Sequence, residues 1–168
     1  MKIFDFFKKK PKENSHQTKV WDIENKDEFL IEMDNLISKK CNYGDNMAAL
    51  NEHERFFFIA QEVEREVNNG GFDQFFFNSS GNLSNEIVKA FKSIGADTTA
   101  KICQTAIDVF NGEVPIERGK RHTIMLEELN QDESGRAWNN CDSDFYRCPD
   151  NLADLKYTYI MEHKDSFR

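Results

Sequence analysis

The stretch NNGGFDQFFFNSSGN, residues 68–82, decides the fold because it places two helix-breaking clusters around four phenylalanines. The Asn-Gly cluster at its start can adopt the left-handed conformation that ends a helix. Phe72, Phe75 and Phe76 have the spacing of a short helix with one aromatic face. We therefore predict a wedge, meaning a short helix between two turns at which the chain changes direction.

The polar residues of this stretch allow two interpretations. Gln74 and Asn78 are four positions apart, so their amides share a side on which they can hydrogen-bond backbone groups freed at the helix ends. Short Asn, Ser and Gly clusters at helix ends are normally caps and turns, which favours a structural corner. The alternative is a small-molecule-binding domain or an uncharacterised enzyme, with a pocket floored by phenylalanines and formed by Asn69, Gly70, Gly71, Phe72, Gln74, Phe76 and Asn78.

A long helix is predicted before this stretch. Asn51 and Glu54 form a capping-box-like pair at its start, and apolar residues at helical spacing follow as far as the NNGG cluster. Phe57 and Phe58 fall off the main apolar stripe. They indicate a helix that is contacted on more than one side and is therefore central.

Two further helices are predicted after it, each with a cap, an apolar stripe and a glycine stop. Ser84 caps the first, which Gly95 ends, and Asp97 caps the second, which Gly112 ends. The cap, the apolar stripe and the glycine stop agree in both helices.

Additional amphipathic helices are predicted at 24–40, 116–129 and 150–163. No segment shows the alternation of apolar and polar residues that a strand requires. We therefore predict an all-α fold, a compact bundle of five to six helices in one domain over residues 21–168.

Charge is distributed unevenly along the chain. Residues 1–20 contain six lysines and two acidic residues, a net charge of +4, whereas residues 21–168 contain 16 basic and 28 acidic residues, a net charge of −12. We expect 1–20 to be a flexible basic tail, although its IFDFF sequence beside lysines is compatible with weak contact to a membrane surface. The tail lacks the features of a signal peptide, so a cytoplasmic location is expected. The acidic domain should repel nucleic acid and attract a basic protein.

Candidate partner-binding carboxylates lie in two predicted helices. Glu24, Glu28 and Glu32 repeat every four positions and would stand about 6 Å apart along a helix. Glu62 and Glu66 share a face of the next helix. The alternative is an ordinary solvated helix face. Two other acidic pairs could extend the surface, namely Asp132 with Glu133 and Asp142 with Asp144.

Motifs of catalysis and metal binding are missing from the sequence. It contains neither the G-x-S-x-G elbow of a serine hydrolase nor a glycine-rich phosphate-binding loop, and its four histidines are scattered. The four cysteines lack the spacing of a zinc site and are expected to be reduced thiols, namely Cys41, Cys103, Cys141 and Cys148. We predict a protein that is not an enzyme and needs neither cofactor nor metal.

Three phrases of the chain, EVNNGGFDQFFFNSSGN at 66–82, AFKSIGA at 90–96 and DSDFYRCPDNLADLKYTYI at 142–160, are distinctive together. They resemble a bacterial family of uncharacterised domains that includes a DNA mimic protein, with similarity over about 52–167. The resemblance implies a compact, mainly helical fold. It also implies an acidic homodimer that occupies the DNA-binding face of a transcription factor and so relieves repression.

Overall fold

The computed structural model describes residues 19–168, and this part of the chain is helical without a strand. The all-α prediction is confirmed, with seven helices instead of five to six: α1 Lys26–Lys40, α2 Glu52–Phe77, α3 Ser84–Ser93, α4 Asp97–Asp108, α5 Arg118–Thr123, α6 Gln131–Tyr146 and α7 Leu152–Glu162. Four short turns complete the described fold: the 3₁₀ turns Met47–Ala49, Ser79–Leu83 and Lys164–Ser166, and the π-helical turn Ile124–Glu128.

Helix α2 lies at the centre of the bundle, as the sequence predicts. It packs against α1, α3, α5, α6 and α7. Its capping box is present, since the Asn51 side chain accepts from the Glu54 N–H at 3.1 Å and the Glu54 carboxylate accepts from the Asn51 N–H at 3.0 Å. Phe57 and Phe58 are both buried, because neighbouring helices cover more than one side of α2.

Helix α1 begins two residues later than predicted. Asn25 is its N-cap, and the Asn25 side chain accepts from the Glu28 N–H at 3.0 Å. An asparagine at this position satisfies a backbone donor that no helical carbonyl can reach. Glu24 therefore precedes the helix, so it does not continue the helical spacing of Glu28 and Glu32.

The predicted caps of helices α3 and α4 are both wrong. Leu83 occupies the N-cap position of α3, and Ser84 is its first helical residue, whose hydroxyl donates to Gly81 O instead of accepting from a backbone N–H.

In helix α4, Ala96 occupies the N-cap position, and Asp97 is the first helical residue. A residue far along the chain caps the first turn instead: the Asp150 carboxylate accepts from Thr99 N at 2.7 Å and from Thr99 Oγ1 at 2.9 Å. The stop before α4 is as predicted, with Gly95 at a φ of +83°.

Helix α6 is absent from the sequence prediction, which has a helix at 116–129 and no other before 150. The structure divides 116–129 into α5 and the π-helical turn, and adds α6 after it. The Asn130 side chain caps α6 by accepting from two backbone N–H groups, and its buried stripe includes Trp138 and Phe145. Its polar sequence, QDESGRAWNNCDSDFY, dilutes that stripe and hides the helix.

The predicted tail lies mostly outside the described residues, and so does its IFDFF segment. Val20, the last residue assigned to the tail, is buried with 3% exposure and packs into the core. Among residues 19–168, every helix is too short or too polar to cross a membrane.

Candidate functional site

Helix α2 bends sharply inside the 68–82 stretch. The backbone is non-helical at Gly70 and Gly71, and Gly71 has φ +77° and ψ −178°, a conformation that essentially only glycine adopts. The helical conformation is interrupted at the predicted stop, so α2 consists of two helical segments, the predicted long helix and the predicted wedge helix, which meet at a kink. The kink frees backbone groups that helical hydrogen bonds would otherwise satisfy.

Helix α6 supplies partners for two of these freed groups. The Asp142 carboxylate accepts from Phe72 N at 2.8 Å, and the Tyr146 hydroxyl donates to Val67 O at 2.7 Å. Burial raises the pKa of the Asp142 carboxyl, while the hydrogen bond from Phe72 opposes that rise. One helix therefore caps both sides of the kink.

Asp142 also leaves no room for a side chain at the kink. A Cβ atom on Gly71 would lie 2.3 Å from Asp142 Oδ2, and a Cβ atom on Gly70 would lie 2.1 Å from Gln74 Oε1. Both glycines are thus required by close packing, and Gly71 is required by its φ angle as well.

The amides of Gln74 and Asn78 share a side, as predicted, but their predicted backbone partners are wrong. Asn78 Nδ2 donates to Glu66 Oε2 at 2.8 Å, and Gln74 Nε2 donates to the same oxygen at 3.3 Å. The carboxylate is preferred because an ionised acceptor forms a stronger hydrogen bond than a neutral carbonyl. Glu66, proposed as a partner-binding residue, therefore already has two partners inside the fold.

The phenylalanines of the stretch belong to the core. Phe72, Phe75 and Phe76 are fully buried. Phe72 meets Phe145 edge to face at 5.9 Å between centroids, and Phe76 lies 5.7 Å from the Trp138 ring. Their burial stabilises the kink, since each aromatic ring removes on the order of 150 Å² from water. In this structure the rings face helix neighbours instead of flooring an open pocket.

A fully buried arginine holds the C-terminal end of α2. The Arg121 guanidinium donates to the carbonyl oxygens of Phe76, Asn78, Pro115 and Ile116. Burial lowers the pKa of Arg121, and its charge is balanced by carbonyl dipoles at the negative end of the helix. The sequence contains no local sign of this role, because RGKRHT reads as an exposed basic turn.

Two further basic side chains of α5 contact the last residue of α2. Arg118 Nε donates to Phe77 O at 3.1 Å, and His122 Nε2 lies 2.6 Å from the same oxygen. The His122 ring also stacks on the Phe77 ring at 3.9 Å. Basic side chains of α5 thus contact the carbonyl oxygen at the C-terminal end of α2.

The proposed partner-binding row lies at the start of α1. Glu24 and Glu28 are exposed and Glu32 is half-buried. Within residues 19–168, the side chains of Glu24 and Glu28 form neither an ion pair nor a hydrogen bond, and Glu32 only accepts from Asn35 at 3.4 Å. These carboxylates are available to a partner.

Glu62, the fifth proposed residue, is more enclosed. Its carboxylate pairs with Arg65 at 2.5 Å, and Arg65 also pairs with Asp34 of α1 at 2.7 Å. Burial raises the pKa of the Glu62 carboxyl. Glu62 borders a polar cleft of about 280 Å³ whose lining includes Arg55 and the Ser79, Ser80 and Asn82 turn.

Among residues 19–168, two histidines have packing roles and the cysteines are unreactive or unpaired. His53 and His163 stack at 3.9 Å, and His53 Nδ1 lies 2.8 Å from the Tyr159 hydroxyl, so both rings hold α7 against the start of α2. All four cysteines are free thiols, and burial raises the pKa of Cys141 to about 11. In the described part of the chain, groups of three or more side chains suited to holding a metal ion are absent.

Comparison with known proteins matches residues 48–163 to a family model described as DMP19-like protein. Searches of curated proteins and of solved structures gave no significant match. The matched region contains the kink, the Asp142 and Tyr146 caps and the buried Arg121, and it covers more than half of the chain. The chain therefore belongs to the DMP19-like protein family, which is a family of DNA mimic proteins.

Proposed function

We propose that this protein is a non-enzymatic, cytoplasmic interaction module whose acidic helical surface occupies the DNA-binding face of a basic protein, such as a transcription factor. The observation that supports it is the presence of free carboxylates at Glu24 and Glu28 in a DNA mimic family member with a net charge of −12 over 21–168. A DNA-binding face is built to contact rows of phosphates, so it also attracts rows of exposed carboxylates.

The free row is the centre of the proposed surface. Glu28 and Glu32 lie in the first half of α1 and Glu24 lies just before it, whereas Glu62 and Glu66 contribute negative charge but are engaged with Arg65 and with two amides. Direct nucleic-acid binding by residues 21–168 is not expected, because phosphates would be repelled. We also propose a homodimer, which would double the number of carboxylates presented to one partner.

The test is capture from the host lysate on immobilised full-length protein. We expect retention of a DNA-binding protein that duplex DNA displaces and that high salt releases, because binding between opposite charges weakens as salt screens them. Retention that duplex DNA leaves unchanged would contradict mimicry.

A variant with Glu24→Lys, Glu28→Lys and Glu32→Lys should lose most of the captured protein. The matched control changes the same total charge at three exposed acids on separate elements, Asp45→Lys, Asp73→Lys and Asp97→Lys. If both variants lose binding equally, overall charge is sufficient and the row has no special role.

The alternative is a small-molecule site or an enzyme site near the 68–82 stretch. Two clefts border this stretch, one of about 280 Å³ beside Glu62 and one of about 360 Å³ lined by Asn68 and Phe145, and the second lies within the usual range for a drug-sized ligand, roughly 300–1,000 Å³. The acidic surface is the stronger proposal because Glu24 and Glu28 have no partners among residues 19–168, whereas Gln74, Asn78 and the buried phenylalanines of the stretch are engaged inside the fold.

A further inference from the structure

An apolar groove with exposed acidic residues at nearby sequence positions lies next to the start of α6. The groove has a volume of about 220 Å³ and is lined by Val109, Leu129, Asn130, Glu133, Ser134 and Ala137. Three of these six residues are apolar, and Val109 and Leu129 are only partly covered by the core. Leu126, three positions before Leu129, has 63% of its surface exposed.

Four carboxylates lie beside this groove in the sequence, at Glu127, Glu128, Asp132 and Glu133. All four are exposed, and none of their side chains forms an ion pair or hydrogen bond with another residue in the described range. Arg136 is the only basic residue between 127 and 137. The surface is therefore acidic and has no internal counter-charge for most of its carboxylates.

Stabilisation of the helix ends explains the positions of only two of these four carboxylates. Asp132 and Glu133 lie in the first turn of α6, where negative charge is favoured by the helix dipole. Glu127 and Glu128 lie at the end of the helical run that starts at Arg118, where the dipole disfavours negative charge. These two carboxylates therefore do not serve the stability of the helix that carries them.

We propose that this groove is a docking site for a basic protein segment that carries an aliphatic anchor residue. The inference extends the proposed function by naming a second contact with the basic partner, and it rests on that function for the class of partner. The volume is below that of a typical small-molecule pocket but sufficient for a side chain. The carboxylates then fix the orientation of lysines or arginines on either side of the anchor.

The experiment uses full-length protein and a fluorescein-labelled, lysine-rich helical peptide with two leucines four positions apart. The control peptide has serine in place of both leucines. Fluorescence anisotropy should show tighter binding of the leucine peptide, by about tenfold, because a buried aliphatic anchor contributes roughly that factor. Equal affinity for both peptides would refute the groove as a docking site for an aliphatic anchor.

Two variants locate the site. Ala137→Phe fills the groove from a half-buried position of α6 and should abolish the advantage of the leucine peptide. The second variant neutralises the four carboxylates and should weaken the binding of both peptides by about tenfold at low salt. Its substitutions are Glu127→Gln, Glu128→Gln, Asp132→Asn and Glu133→Gln. Circular dichroism melts check that each variant is folded.

The matched control neutralises four exposed acids that belong to neither proposed surface, with Asp22→Asn, Asp45→Asn, Glu113→Gln and Glu162→Gln. If this control weakens the peptides as much as the groove variant does, net charge explains the binding and the docking site is refuted. Because the peptide assay does not use the host partner, its failure leaves the capture experiment and the proposed function intact. Failure of the capture experiment, with the peptide result as expected, would refute mimicry alone.

Discussion

Replacing Gly71 by alanine should destabilise the protein strongly, because two separate features of the kink exclude a side chain there. The φ of +77° with ψ of −178° is a conformation that costs a non-glycine residue about 1–3 kcal/mol. The new Cβ would lie 2.3 Å from Asp142 Oδ2. Displacing that carboxylate removes the cap on Phe72 N–H, which is worth about 1–2 kcal/mol. The free energy of unfolding should therefore fall by roughly 2–5 kcal/mol, the sum of these two costs.

A double-mutant cycle separates these two contributions. Asp142→Ala alone should cost about 1–2 kcal/mol through loss of the cap. Gly71→Ala in that background should cost only the backbone strain, about 1–3 kcal/mol, because the carboxylate is gone. The expected coupling between the two sites is thus about 1–2 kcal/mol. Additive effects would refute the contact between Gly71 and Asp142.

Urea unfolding followed by circular dichroism gives these free energies, and thermal melting provides a second measure. For a chain of this size the Gly71→Ala loss corresponds to a fall in Tm on the order of 10 °C. Gly135→Ala is the matched control, since Gly135 lies inside α6 and its Cβ would meet nothing within 4 Å. That control should gain about 0.5–1 kcal/mol from helix propensity. A Gly71→Ala protein as stable as wild type would refute the strained kink.

Three further predictions concern other parts of the same scaffold. Arg121→Met should lower the free energy of unfolding by about 3 kcal/mol or more, because it leaves several buried carbonyls without a donor. In the same urea assay, Arg118→Met at an exposed position should lower it by less than about 1 kcal/mol. Burial, followed by the neighbouring His163, lowers the pKa of His53, so stability should fall as the pH drops below about 6.5, and His53→Gln should flatten the profile in melts from pH 7 to 5. Gln74→Ala should lower Tm by only a few degrees, since its hydrogen bond is long at 3.3 Å; loss of a bound metabolite in native mass spectrometry without a change in Tm would instead support the pocket.

The elements that the sequence predicts correctly depend on neighbouring residues. Asn51 and Glu54 are three positions apart, and the glycine stop at Gly95 needs only its own φ angle. Such signals are readable in one sequence because the interacting groups occur within one helical turn.

The features missed depend on residues far apart in the chain. Phe72 and Asp142 are 70 positions apart, and Arg121 is 45 positions from Phe76. Only the fold shows that one of the several exposed-looking arginines is buried, or that one aspartate among many is a cap. The Asp97 error has the same cause, since the acceptor at the start of α4 comes from Asp150. Helix α6 is an exception among the missed features, because its cap is local: the Asn130 side chain accepts from the Asp132 and Glu133 N–H groups, and only the diluted apolar stripe obscures the helix.

The 68–82 stretch, which lies within the region matched by the family model, contributes mainly to the interior of the protein. The missing side chain of Gly71 leaves space for the Asp142 carboxylate. The amides of Gln74 and Asn78 donate to Glu66, and Phe72, Phe75 and Phe76 are buried in the core. Substitutions in this stretch should therefore change binding only in proportion to the loss of folded protein, whereas substitutions of free surface carboxylates should change binding at constant Tm. Measuring Tm and partner affinity together for both groups of variants distinguishes the two behaviours. A motif variant that keeps its Tm but loses its partner would place recognition at the kink itself, and the acidic surface would then lose its role.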